Sequence, residues 1–179
     1  HEDWRYVDIR KKTGRAYWPA SLAAIHLLPT IMVFLGCLPL YAPLTKTTGP
    51  LGAAQYAAFG GAVAVALAAV SIEATADKQL MRFRQSKKKP QDILQSGLWA
   101  YSRHPNYFGE VSFWWGLALF ILPEINDYTW TLVGPVAITA LFLSISIPLI
   151  DQRMLARHPG YEKRMQRVSG LVFWFPQKS

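Results

Sequence analysis

The chain has 179 residues, of which 51% are hydrophobic and only 17% are charged. Soluble domains carry roughly a quarter charged residues, so this composition argues against an ordinary soluble domain. Lys and Arg number 19 against 11 Asp and Glu, an excess typical of a nucleic-acid binder or a membrane protein. No zinc spacing, RNP pattern or basic amphipathic helix occurs, and we expect no nucleic-acid partner. The single cysteine, Cys37, excludes an internal disulfide and fits no metal spacing, so no metal site is predicted.

The first 18 residues form a basic segment without the apolar centre of a signal peptide. The chain begins with His1 rather than Met. We therefore expect a mature or partial chain.

Four apolar segments follow, each near the ~20 residues that a membrane helix needs. Three of them carry no charge, whereas the shorter third segment contains Glu110. Prolines lie within or near these segments, which membrane helices tolerate better than soluble ones. The sequence predicts an all-α polytopic membrane protein, a single domain over residues 1–179, with spans at 19–41, 51–72, 107–122 and 130–150 and a basic tail at 151–179.

The basic residues alternate with these spans. If all four segments cross the bilayer, eighteen of the 19 Lys and Arg fall on one side, and only Lys46 falls on the other. The positive-inside rule then predicts an integral membrane protein with both termini on the cytosolic side, in a membrane that the sequence does not identify. A soluble helical bundle is the alternative, but it gives no reason for this alternation.

The end of the second span carries a polar stripe. Glu73 and Asp77 are four residues apart, and Arg84 lies two further turns along the same helix face. A solvated face with a weak ion pair is one interpretation. The other is a polar cavity, because ionisable groups at this depth usually face one.

The pattern Arg-His-Pro-x-Tyr occurs twice, first as RHPNY at 103–107. Proline favours the first position of a helix, and the free N–H groups of a helix N-terminus attract phosphate. Arg103 and His104 stand directly before that position, while Asn106 and Glu110 lie four residues apart, one turn inside the span. The pattern predicts a phosphate-binding helix start with hydrogen-bonding groups beneath it. A helix cap at His104 and a lipid contact at Arg103 are the alternatives.

The second copy, RHPGY at 157–161, is followed by charged residues. Its Pro-Gly pair predicts a turn rather than the start of a span. We expect it to fold a basic tail back over the ends of the spans, with Tyr161, Arg164 and Arg167 on one face; a helix lying on lipid headgroups is the alternative. If both copies bind one ligand, Arg103 and Arg157 should lie near a common cavity.

The segment GLWAYSRHPNYFGE resembles the signature of membrane reductases related to steroid 5α-reductase, and closest are their bacterial and protist relatives of unassigned function. EDWRY near the start, the Glu73–Asp77 stripe and the HPGY tail resemble that branch too. The resemblance implies an all-helical membrane fold that binds NADPH and reduces a carbon–carbon double bond conjugated to a carbonyl. It implies cofactor contacts at Glu73, Asp77, Arg84, Arg103, His104, Asn106, Tyr107, Glu110, Asp151, Arg153 and Tyr161, with Asn106 and Glu110 at the nicotinamide end.

The expected function is therefore NADPH-dependent reduction of a lipid or sterol-like enone. A membrane methyltransferase is the first alternative, because isoprenylcysteine carboxyl methyltransferases share the Arg-His-Pro-x-Tyr motif and bind S-adenosylmethionine. S-adenosylmethionine has no phosphates, so its binding site needs less positive charge. The many basic residues around the spans therefore favour the reductase.

The second alternative is a non-catalytic subunit that associates with other membrane subunits. The resemblance begins at EDWRY, without the upstream spans that help to form the substrate pocket and carry the catalytic acid in the reductases. We therefore name no catalytic residue.

Overall fold

The structure is a computed structural model that describes residues 4–46, 50–86, 89 and 91–177; residues 1–3, 178 and 179 of the predicted end segments lie outside these ranges. Its described secondary structure is helical, apart from one isolated backbone bridge between Ser102 and Ser169. The all-α prediction is confirmed. The α-helices are α1 (Trp4–Thr13), α2 (Tyr17–Ser21), α3 (Leu28–Cys37), α4 (Tyr41–Lys46), α5 (Ala53–Ser86), α6 (Pro105–Ala118), α7 (Ile125–Tyr128), α8 (Val133–Leu141), α9 (Ile147–Arg157) and α10 (Tyr161–Arg167).

Shorter helical turns join several of these helices. π-helical turns connect α2 to α3 and α8 to α9, and 3-10 turns lie on both sides of α7. Continuous helical runs therefore cover the predicted spans. Among the described residues, three runs are long and apolar enough to cross a membrane: Ile9–Thr45, Ala53–Ser86 and Pro105–Arg157.

The third run contains both the third and the fourth predicted spans. A straight helix rises about 1.5 Å per residue, which would place residues 103 and 151 about 70 Å apart. In the structure their side chains are hydrogen-bonded, and α6 packs against α8. The run therefore folds back on itself through the 3-10 turns and α7, so that two membrane-length arms lie side by side.

Close helix packing requires glycine at two contacts. A Cβ on Gly134 of α8 would collide with the Leu35 carbonyl oxygen of α3, and one on Gly109 of α6 would lie 2.8 Å from the Glu73 backbone nitrogen of α5. A hydrogen atom at these positions lets the backbones approach, as small residues do between membrane helices. A core cluster fills the space between α6 and α8, formed by Val111, Trp114, Ile138 and Phe142.

Helix α5 extends well beyond the predicted span 51–72 and ends at Ser86. Its last turns are polar, and they face the segment that precedes α6. Trp99 Nε1 donates to the Ala76 carbonyl oxygen over 3.0 Å, and the Leu98 N–H donates to Gln79 Oε1, also over 3.0 Å. These bonds hold the start of α6 beside the polar end of α5.

The C-terminal tail folds back as predicted. Gly160 is the N-cap of α10, after a turn at the Pro-Gly pair. Beyond α10 the described chain is not helical, and it is hydrogen-bonded to the segment before α6. The Arg103 N–H donates to the Ser169 carbonyl over 2.8 Å, and the Trp174 N–H donates to the Tyr101 carbonyl over 3.1 Å.

Candidate functional site

The site begins at the start of α6. Pro105 is its first residue and His104 is its N-cap, which confirms the prediction of a helix start there. The His104 side chain makes no capping hydrogen bond; its ring instead stacks on Tyr107 with the ring centroids 5.3 Å apart. His104 therefore occupies the cap position without a capping hydrogen bond from its side chain, and its ring serves another contact.

Arg103 is held by the protein on several sides. Its Nη1 donates to the carbonyls of Met165 and Val168 over 3.1 and 2.6 Å, and its Nη2 donates to Asp151 Oδ2 over 2.8 Å. Its Nε is buried and has no hydrogen-bond partner among the described residues. Arg103 thus ties α6 to α9 and to the tail.

Asp151 joins these elements from the side of α9. Besides Arg103 it accepts from His104 Nε2 at 3.0 Å and from the Tyr161 hydroxyl at 2.5 Å, both on Oδ1. Its side chain is almost completely buried. One carboxylate therefore connects both copies of the Arg-His-Pro-x-Tyr motif, because Arg103 and His104 belong to the first and Tyr161 to the second.

Tyr161 lies outside the membrane-length helices, on the first turn of α10. Burial, and then the hydrogen bond and negative charge of Asp151, raise the pKa of its hydroxyl above the ordinary value of 10.0. A phenol in this position stays protonated and donates to the carboxylate.

A cavity of about 440 Å³ opens beside this network. The Arg, His and Tyr side chains of both motifs line it, Arg103, His104 and Tyr107 from the first and Arg157, His158 and Tyr161 from the second. The prediction that Arg103 and Arg157 share a cavity is therefore confirmed. We call this space the arginine cavity.

Five arginines line the arginine cavity, and Asp92 is the one carboxylate on its wall among the described residues. Arg84 comes from α5, Arg153 and Arg157 from α9, and Arg164 from α10. The rest of the wall is largely apolar and includes Leu80, Phe83, Ile93, Leu94, Ile150 and Met154. The space therefore suits a large anion that also has apolar or aromatic surface.

An adjoining groove of about 530 Å³ shares Leu80, Arg84 and Asn106 with the arginine cavity. Asp77 lies on its wall and accepts a hydrogen bond from Asn106 Nδ2 over 3.1 Å. An amide and a carboxylate thus stand next to the cationic wall. A ligand longer than the arginine cavity would extend along this groove.

Glu73 and Glu110 line neither of these two spaces. They lie where α5 and α6 pack most closely, next to Gly109, and the charges of Glu73 and Asp77 both act on Glu110. The three residues of the predicted stripe therefore do not share one site. Arg84 lines both spaces, Asp77 lines the groove, and Glu73 lies at the contact between α5 and α6.

Seven of the predicted site residues line the arginine cavity, Asp77 lines the groove, and Asp151 lies behind the wall. Three residues of the cavity wall were not predicted as site residues: Trp99, His158 and Arg164. His158 bonds through Nδ1 to the Gln91 carbonyl at 3.2 Å. The repeated motif was the signal for His158. Arg164 is buried and donates to the carbonyls of Trp99 and Ser102. Arg167 is exposed and donates to the Gln177 carbonyl instead. The prediction that Arg167 shares a helix face with Tyr161 and Arg164 is therefore wrong.

Fold and site together define an all-helical membrane protein with a cationic cavity at the polar ends of its long helices. A family model described as "Protein of unknown function (DUF1295)" matches residues 1–168, and the chain belongs to this family. No curated protein matches the chain significantly, and neither does any solved structure.

Proposed function

We propose that this protein is a membrane-embedded reductase that uses NADPH to reduce a conjugated carbon–carbon double bond in a lipid or sterol-like enone. The observation that carries the proposal is the joint lining of one arginine-rich cavity by both Arg-His-Pro-x-Tyr motifs. The resemblance of GLWAYSRHPNYFGE to reductases related to steroid 5α-reductase supports the same class.

The cavity residues fit the chemistry of a phosphorylated dinucleotide. Arginine suits phosphate because its planar fork can donate two parallel hydrogen bonds to phosphate oxygens. Arg84 and Arg157 are exposed on the wall, and no bond to another residue restrains their side chains in the part of the chain that the structure describes. The unpartnered Nε of Arg103 adds a buried donor on a side chain of the same wall.

The groove fits the other end of such a ligand. Asn106 and Asp77 offer an amide and a carboxylate, the groups that pair with a carboxamide. Glu110 lies one turn further along α6, nearer the apolar layer. By the resemblance, Asn106 and Glu110 would orient the nicotinamide.

When bound, NADPH would supply a hydride to the β-carbon of the enone. The chain's own contribution is to bind the phosphates with its arginines, to orient the nicotinamide amide with Asn106, and to hold the start of α6 rigid through Asp151. Polarisation of the carbonyl requires an acid, and we assign that role to no residue.

A methyltransferase is the second candidate, because Asp77 lines the groove and two further carboxylates lie at the neighbouring contact between α5 and α6. Glu73, Asp77 and Glu110 lie within electrostatic range of one another, and S-adenosylmethionine carries a positive sulfonium. The arginines of the larger cavity favour NADPH over this ligand.

Binding by the purified full chain in nanodiscs separates the possibilities. NADPH and S-adenosylmethionine are titrated separately, with thermal stability and ligand fluorescence as readouts. We expect NADPH to bind and Arg84→Ala to weaken it about 10–100-fold, because a hydrogen bond to a charged group contributes about 1.5–3 kcal/mol. Arg82→Ala is the matched control, since Arg82 is exposed on the same helix and lines neither space.

Binding of S-adenosylmethionine alone would contradict the reductase. Binding of neither ligand would favour a non-catalytic subunit within a larger membrane assembly.

We further propose that the arginine cavity and both termini face the cytosolic side. The distribution of Lys and Arg supports this orientation. A membrane-impermeant thiol reagent applied to sealed right-side-out vesicles should leave Glu162→Cys, made in a Cys37→Ala background, unmodified. Modification without permeabilisation would contradict it.

A further inference from the structure

The tail beyond α10 exposes a cluster of apolar side chains outside the membrane-length helices. Val172, Trp174 and Phe175 are exposed by 56%, 67% and 79%, and Tyr101 beside them is 42% exposed. The Tyr101 and Phe175 rings contact edge to face, with their centroids 6.0 Å apart. We call these four side chains the tail patch.

The backbone under the tail patch is held firmly. The Trp174 N–H bonds to the Tyr101 carbonyl, the Ser102 hydroxyl donates to the Leu171 carbonyl over 2.8 Å, and Phe173 packs its ring on Phe108 at 4.8 Å. Leu171 is buried and Phe173 is half-buried, while Val172 and Trp174 are exposed. The exposure is therefore imposed by the fold rather than by a loose chain end.

The tail patch lies level with the end of the apolar layer. Phe108, on which the tail packs, is next to Gly109, and Gly109 contacts Glu73, the first charged residue after the apolar stretch of α5. Trp99, two residues before Tyr101, bonds to Ala76 one turn further along α5. Headgroups replace acyl chains at this level, and Trp and Tyr are enriched there.

A positive charge beside the tail patch also fits a position at the lipid headgroups. A surface groove of about 380 Å³ brings Val172 and Trp174 together with Arg167, which is exposed at the end of α10. A cation next to outward aromatic rings complements the phosphates and the upper acyl chains of a bilayer.

We propose that the tail patch docks into the headgroup layer of the membrane and so anchors the C-terminal tail beside the arginine cavity. The occupant is the bilayer surface, because the tail packs on Phe108 where the apolar stretch of α5 ends, and because the patch sets exposed aromatic rings beside Arg167. Arg164 and Tyr161 on the same tail line the cavity, so the anchor would stabilise one of its walls.

Depth-dependent quenching tests this proposal on the full chain in nanodiscs of phosphatidylcholine and phosphatidylglycerol. An environment-sensitive fluorophore is attached to Phe175→Cys in a Cys37→Ala background. Nitroxides are placed either on the lipid headgroup or midway along the acyl chain, and iodide is added to the water. Glu162→Cys is the matched control, because Glu162 is exposed on α10 away from the patch.

We expect the label at 175 to lose fluorescence with the headgroup nitroxide and to resist iodide, whereas the label at 162 shows the reverse. Equal iodide quenching at both positions would overturn the proposal. So would stronger quenching from the acyl-chain nitroxide, or protection from all three quenchers, which would indicate a protein partner or a second copy. Val172→Cys repeats the test if the change at Phe175 impairs folding.

Discussion

Replacing Asp151 with alanine should destabilise the protein more than any other single change at the site. The substitution removes the acceptor of three hydrogen bonds, from Arg103 at 2.8 Å, His104 at 3.0 Å and Tyr161 at 2.5 Å. It also leaves the Arg103 guanidinium, whose side chain is 11% exposed, without its counter-charge. Breaking a buried ion pair in this way costs about 3–5 kcal/mol.

For a chain of this size that loss lowers the melting temperature by about 6–20 °C, at about 2–4 °C per kcal/mol. Thermal unfolding in one detergent would compare Asp151→Ala with Tyr161→Phe, which removes one of the three bonds and should cost about 1.5–3 kcal/mol. Glu162→Ala is the exposed control on α10 and should stay within about 0.5 kcal/mol of wild type. If Asp151→Ala melts together with that control, the carboxylate does not join α6, α9 and the tail. Asp151→Asn, which keeps the shape and removes the charge, decides the question if the alanine variant does not fold.

Two further predictions concern pH and helix packing. The pKa of Tyr161 is higher in the folded state than its unfolded value of 10.0, so its stabilisation is complete below pH 10 and is lost as the pH rises further. Unfolding free energy should therefore fall more steeply above pH 10 in wild type than in Tyr161→Phe, and parallel curves would contradict the contact with Asp151. Gly109→Ala should separate α5 from α6 and cost about 1–3 kcal/mol, since its Cβ would meet the Glu73 backbone at 2.8 Å. Gly60→Ala on α5 has no atom within 4 Å of its Cβ and should be neutral or stabilising in the same melting assay; equal losses would refute the packing argument.

The sequence predicted those features that depend on local rules. Pro105 starts α6 because proline lacks the N–H that the first turn leaves unbonded. The Pro-Gly pair forms the turn before α10 because the proline ring fixes φ at a value that suits a turn. The four spans followed from length and hydropathy. The sequence could not predict that the last two spans form one helical run, because 3-10 turns carry no strong residue signature.

The contacts between residues far apart in the sequence are the part of the site that could not be predicted. Two partners of Arg103 are the carbonyls of Met165 and Val168, and a carbonyl gives no sign in the sequence of what it will accept. Arg103, for which the sequence predicted a phosphate contact, therefore has a structural role that residue types alone do not reveal. Helical spacing put Glu73 and Asp77 on one face of α5. It could not predict that α6 approaches α5 at Gly109, which puts Glu73 at the helix contact rather than in a cavity.

In the proposed function, both copies of Arg-His-Pro-x-Tyr bind one anionic ligand. Measuring the affinity of Arg157→Ala for NADPH in nanodiscs tests this claim, because Arg157 belongs to the second copy and lines the arginine cavity. We predict an affinity about 10–100-fold weaker than that of wild type, since a bond to a charged group contributes about 1.5–3 kcal/mol, and an unchanged affinity for Arg82→Ala. Wild-type affinity in Arg157→Ala would contradict the claim.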